Sequence, residues 1–77
     1  MADKLINLFS EVLVVDASIL NDESSPDTLE AWDSLGAMNL VTAIEESFDV
    51  QLSTKEIMRM VTIGLVRKFL QDKGIEI

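Results

Sequence analysis

Asp33-Ser34-Leu35-Gly36-Ala37-Met38-Asn39-Leu40-Val41-Thr42-Ala43-Ile44-Glu45-Glu46-Ser47-Phe48 is the stretch on which the reading of this chain turns. From Leu35 to Phe48 the apolar residues recur at helical spacing. Leu35, Met38, Val41, Ile44 and Phe48 form one stripe, with Leu40 near its edge. Asn39, Thr42, Glu45 and Glu46 fall outside the central line of that stripe. The pattern predicts a helix over 34–48, capped by Asp33 or Ser34. Gly36 is a poor helix former, costing roughly 1 kcal/mol relative to alanine in a helix interior and less in a first turn. Upstream runs an acidic loop, Asn21-Asp22-Glu23-Ser24-Ser25-Pro26-Asp27-Thr28-Leu29-Glu30-Ala31-Trp32-Asp33, without sustained period. A serine hydroxyl therefore stands where the loop stops and the helix starts. Unpaired amides and the positive end of the helix dipole favour a phosphate at such a place, so the hydroxyl can carry a phosphodiester.

Working outward, residues 3–15 read as a first helix. Leu5, Leu8, Phe9, Val12 and Leu13 share a face and Asp3 stands as N-cap, while Val14 and Val15 prolong the apolar character. In residues 16–33, Ser24, Ser25, Pro26 and Asp27 mark a turn. Ile19, Leu20, Leu29 and Trp32 are expected to pin this loop onto the core. Trp32 is expected to pack, because an exposed indole leaves a large apolar face in water. Residues 53–60 read as a short third helix with Ser53 and Glu56 at capping-box spacing and Ile57 and Met60 or Val61 facing inward. Residues 63–73 read as the last helix, with Thr62 as cap and Ile63, Leu65, Val66, Phe69 and Leu70 on its apolar side. Arg67, Lys68 and Lys73 suit its C-terminal dipole and Gly74 suits a C′ position. The prediction is all-α: a small four-helix bundle around one core, with a long loop between helices 1 and 2 and a short third helix, as a single domain over 1–77. No internal repeat or low-complexity tract is present.

Composition narrows the chemistry. The 77 residues are 48% hydrophobic, enough for a core, and carry a formal net charge of -8. That charge disfavours nucleic-acid phosphates and anionic membranes and steers basic surfaces toward the chain. There is no cysteine and no histidine. Disulfides and thiolate metal sites are excluded, and the commonest general base and zinc ligand are missing. No set of base, nucleophile and orienting group stands out, so the chain is not expected to be an enzyme. The acidic stretch from Asp22 to Asp33 invites a calcium reading, but Pro26 and the missing central glycine do not fit an EF-hand, and no metal site is expected. Met1-Ala2-Asp3-Lys4 runs straight into an amphipathic segment, with no visible signal peptide and no apolar run long enough to cross a bilayer. The expected location is the cytoplasm.

Asp33-Ser34-Leu35, the helix ending in Glu45-Glu46-Ser47-Phe48-Asp49, the long loop before the serine and the chain length together resemble the acyl and peptidyl carrier protein family. The resemblance covers most of the chain and implies the bundle's handedness. It implies that Ser34 is the attachment point of 4'-phosphopantetheine donated by coenzyme A, whose terminal thiol carries acyl groups as thioesters. Ser34 is then not a catalytic nucleophile, since a separate phosphopantetheinyl transferase supplies the activation. The implied partners are that transferase and acyl-loading and acyl-processing enzymes with basic docking patches, met by a monomer.

The implied docking residues are Asp33, Leu35, Met38, Asn39, Glu45, Glu46 and Ile57. Asp33 has a role toward the transferase beside its role as a cap, and Leu35 is either presented to partners or packed in the core. Met38 either shapes the surface beside the arm or belongs to the core. The chain departs from carriers of the fatty-acid synthesis type: Gly36 and Asn39 stand where acidic residues are common, and the third helix contains Lys55 and Arg59. These departures point to a specialised carrier of a fatty-acid, polyketide or related pathway. Two alternatives remain: an aminoacyl or peptidyl carrier, and a non-enzymatic helical interaction module in which Ser34 is an unmodified cap.

Overall fold

The computed structural model describes residues 3–76. Met1, Ala2 and Ile77 lie outside the described residues. Four α-helices are present among them: α1 (Lys4–Leu13), α2 (Ser34–Phe48), α3 (Thr54–Met58) and α4 (Ile63–Asp72). The long α1–α2 connection holds one 3₁₀ turn, Ala17–Ile19, and no strand forms among the described residues. The expected all-α bundle with a short third helix is what the chain adopts.

Each helix begins on a side-chain cap that satisfies one amide left without an intrahelical acceptor. Asp3 accepts from the Ile6 amide at 2.9 Å, Asp33 from Gly36 at 2.8 Å and Thr62 from Leu65 at 3.1 Å. Ser53 and Glu56 form the full reciprocal capping box. Both α1 and α2 end on a left-handed residue, Val14 and Asp49, whose amides donate to Ser10 and Glu45 carbonyls.

One core joins the elements. It gathers Leu5, Ile6, Phe9 and Leu13 of α1, Leu40, Ile44 and Phe48 of α2, Met60, and Ile63, Val66 and Leu70 of α4. Leu20, Leu29 and Trp32 bring the long loop into it. Two amides at the start of α4 hold the loop as well: Ile63 donates to the Ser24 carbonyl at 3.1 Å and Gly64 to that of Asp22 at 2.9 Å.

The structure corrects several expectations. Helix α2 does not bury the stripe through Leu35 and Met38, which are each 69% exposed, while Leu40 is fully buried. At about 100° per residue, Gly36, Leu40, Ile44 and Phe48 span an arc of about 120°, and Leu35 and Met38 fall on the opposite side. The three-residue steps of the expected stripe walk around the helix; the four-residue steps stay on one side. Ile19, at the end of the 3₁₀ turn, is exposed and pins nothing. Of the inward candidates near α3, Met60 is buried, whereas Ile57 and Val61 are exposed. On α4, Leu65 and Phe69 are half-buried, and Phe69 packs against the core. Its last turn carries no basic residue. Arg67 instead binds Asp3 and Asp22, and Lys73 pairs with Glu56 at 3.1 Å.

Candidate functional site

Ser34 is the first residue of α2, exposed, and follows the cap residue directly. The local sequence explains that placement. The amides of Thr28 and Leu29 turn back to the Ser25 carbonyl, and that of Trp32 to Leu29. Trp32, 2% exposed, then anchors the loop edge-on against Phe9, with ring centroids 5.1 Å apart and planes at 67°. The expectation that Trp32 packs holds. Asp33 turns its carboxylate onto the Gly36 amide, and the Asp33 carbonyl accepts from Ala37 at 2.8 Å. The amides of Ser34 and Leu35, in the first turn, have no intrahelical acceptor.

Gly36 has a packing reason to be glycine. A Cβ there would lie 2.5 Å from the Ala31 carbonyl oxygen and 3.2 Å from Leu13 Cδ2. The loop crosses this first turn so closely that no side chain fits. The missing acidic residue at this position therefore follows from packing as well as charge.

Around Ser34 the expected docking residues divide. Asp33, Leu35, Met38, Asn39, Glu46 and Ile57 are exposed. Glu45 is half-buried, and its Oε2 accepts from the Leu52 amide at 2.9 Å, tying α2 to the segment leading into α3. Two concavities flank the serine. A recess of about 390 Å³ is lined by Pro26, Trp32, Asp33, Ser34, Ala37 and Met60. An apolar cleft of about 310 Å³ is lined by Ala37, Met38, Val41, Thr42 and Ile57. Pro26 and Met60 at the recess escaped the sequence reading, since nothing local ties them to Ser34. Ala37 follows Ser34 by three residues on the same helix, and that spacing would have found it. Among the described residues no cluster of acidic side chains is gathered to hold a metal ion, including the stretch from Asp22 to Asp33. Among them, too, no helix is long and apolar enough to cross a membrane.

The arrangement suits a covalent arm. The hydroxyl is open to a large modifying partner, the helix start offers unpaired amides to a phosphate, and the neighbouring carboxylate is turned toward Gly36. The chain holds no histidine, and the carboxylate next to the hydroxyl, Asp33, accepts from the Gly36 amide.

Comparison with known proteins agrees in kind. Residues 3–70 match the family model described as the phosphopantetheine attachment site. The acyl carrier protein of Buchnera aphidicola subsp. Acyrthosiphon pisum (strain 5A) is 33% identical over 69 residues, covering 90% of this chain and 85% of that protein. The acyl carrier protein of strain Tuc7 matches to the same extent, 33% over 69 residues. Among solved structures, the solution NMR structure of a holo acyl carrier protein from Geobacter metallireducens superposes with a TM-score of 0.83 at 28% identity, over 94% of this chain and 83% of that one.

Proposed function

This chain belongs to the acyl carrier protein family, whose members bear a covalent 4'-phosphopantetheine arm, and on that footing we propose that Ser34 is the residue that bears it here. The observation that carries the proposal is the exposed Ser34 hydroxyl at the first position of α2, inside the matched span. Bound there, the arm supplies a thiol that holds an acyl group as a thioester.

In the proposed loading step the Ser34 hydroxyl oxygen forms a bond to a phosphorus of the coenzyme A pyrophosphate. The bond from that phosphorus to the bridging oxygen breaks, and the nucleotide leaves as adenosine 3',5'-bisphosphate. A base of the transferase takes the serine proton. Asp33 holds the α2 start in shape and presents its remaining carboxylate edge to the transferase. The acyl group then reaches successive enzymes from a tether, at high effective concentration. This chain supplies address and reach, and the bond making belongs to its partners.

The partner surface proposed is the exposed side of α2 with the adjoining edge of α3. Leu35, Met38 and Ile57 offer apolar contact beside Ser34. Glu46 offers charge to basic patches, with Asn39 uncharged between them. Glu45, bound to the Leu52 amide, contributes less freely than Glu46. Lys55 and Arg59 add positive charge close by, which disfavours a uniformly basic partner. This mixed surface supports a specialised fatty-acid, polyketide or related pathway with its own enzymes, and the one shared core supports a single carrier domain over 1–77.

The test is intact-protein mass after incubation with coenzyme A and a broad-specificity phosphopantetheinyl transferase, with Ser34→Ala as control. One phosphopantetheinyl increment on the parent and none on the variant is the expected result. A folded parent that takes no increment makes Ser34 a helix cap only and moves the interaction-module reading forward.

A further inference from the structure

One residue lining the recess beside Ser34 carries a buried polar group without a partner. That residue is Trp32, whose indole Nε1 is shielded from solvent with no hydrogen-bond acceptor in the protein. A buried N–H left unpaired is destabilising, and buried indoles ordinarily find an acceptor. Phenylalanine would keep the ring contact with Phe9 without that cost, so the N–H itself calls for an explanation. The indole nitrogen only donates, so whatever satisfies it is an acceptor. The rest of the recess adds Pro26, Ala37 and Met60 to the Asp33 and Ser34 edge. Met60, unbranched and adaptable, is the lining side chain able to make room.

We infer that Trp32 Nε1–H is a hydrogen-bond donor for a carbonyl oxygen of the loaded arm, drawn into the recess beside Ser34. This rests on the Ser34 reading and adds a residue that holds the loaded arm against the protein. Carbonyl oxygens occur in two places on a loaded carrier: the amides of the arm and the thioester of its cargo. The donor gains its acceptor only in the loaded states. Saturated cargo attached without a carbonyl gains nothing from it.

The chain contains one tryptophan, so its indole N–H gives a single cross-peak in a nitrogen-15 correlation spectrum. The experiment compares four forms of the labelled protein: apo, holo, S-butyryl-holo, and the S-butyl thioether analogue of the holo form. Intact mass is read first on each. The expected result is a downfield move of the indole proton on loading, with its exchange slowed roughly two- to tenfold, the factor of one net hydrogen bond. A move already present in the holo form assigns the acceptor to an arm amide. A move in the butyryl form, absent from both the holo form and the thioether, assigns it to the thioester carbonyl. A fully loaded chain whose indole proton and exchange rate match the apo form overturns the inference and leaves the Ser34 reading standing. A chain that takes no arm overturns both.

Discussion

Val14 shows how much a single backbone position can work against its own residue type. It ends α1 in the left-handed region at φ 56° and is 87% exposed. A branched side chain in that region crowds the following carbonyl at a cost of about 1–2 kcal/mol. Asp49 makes the same turn at the end of α2, at φ 53°, with a short polar side chain that tolerates it better. The contrast yields a prediction. Val14→Asn relieves the crowding and removes an exposed apolar group, and should raise stability by about 1 kcal/mol, or about 4–8 °C in Tm for a domain of this size. Thermal and urea unfolding of both chains would check it, and an unchanged or lowered midpoint would mean the valine is not strained. At this scale the sequence was readable where chemistry is local. Asp3, Asp33, Ser53 and Thr62 cap helices because their side chains reach an amide three residues on. Val14 was not readable, because the demand for a left-handed turn comes from where the chain must go next, and valine's own preference points elsewhere.

Helix α2 is the element on which the core and the proposed docking surface divide. Its buried arc is Gly36, Leu40, Ile44 and Phe48; its opposite side carries the exposed Leu35 and Met38 beside Ser34. The existence and bounds of this helix followed from its caps and period, but the buried arc did not. Five apolar residues at three- and four-residue steps define a helix without saying which half faces inward when apolar groups sit on both halves. Gly36 held the answer, since the four-residue line begins at a residue small enough to let the Ala31 carbonyl lie against the helix. The apolar residues left outside the core are those proposed to meet partners. Two substitutions on one helix separate these roles. Leu40→Ala removes a fully buried side chain and should cost about 2–5 kcal/mol. Met38→Ala should change stability by no more than about 0.5 kcal/mol. Urea midpoints of the two variants measure the difference, and equal losses would mean Met38 is packed after all.

Across the whole molecule, Arg67 is the tie between segments distant in sequence. It joins the α1 cap Asp3, which lies 64 residues away, and donates twice to Asp22 in the long loop, at 2.9 and 3.1 Å. No local pattern announces such a tie; the sequence offered Arg67 only as a partner for its own helix dipole. Because Arg67 holds the start of α1, the loop and α4 together, it helps fix the loop that leads to Ser34. Burial opposes charge on Asp3, but the Ile6 amide and the hydrogen bond and charge of Arg67 outweigh it and hold the carboxyl below the ordinary range. A carboxyl lowered on folding stabilises the fold fully above its unfolded value, about pH 4, and loses that contribution as pH falls through the lower folded value. Acid also neutralises the other carboxylates of a chain carrying -8, relieving self-repulsion, so the pH profile of the parent alone mixes opposite trends. Comparison with Arg67→Met isolates the tie, because the variant keeps most of the side chain's length and loses its charge. The other carboxylates, including Glu56, whose pKa is lowered first by the Ser53 amide and then by Lys73, largely cancel in the difference. Near neutral pH the parent should exceed the variant by about 0.5–1 kcal/mol, modest because both carboxylates remain partly in water. The gap should close below about pH 4 and narrow in high salt. A gap that persists unchanged in acid would assign the role of Arg67 to the packing of its stem.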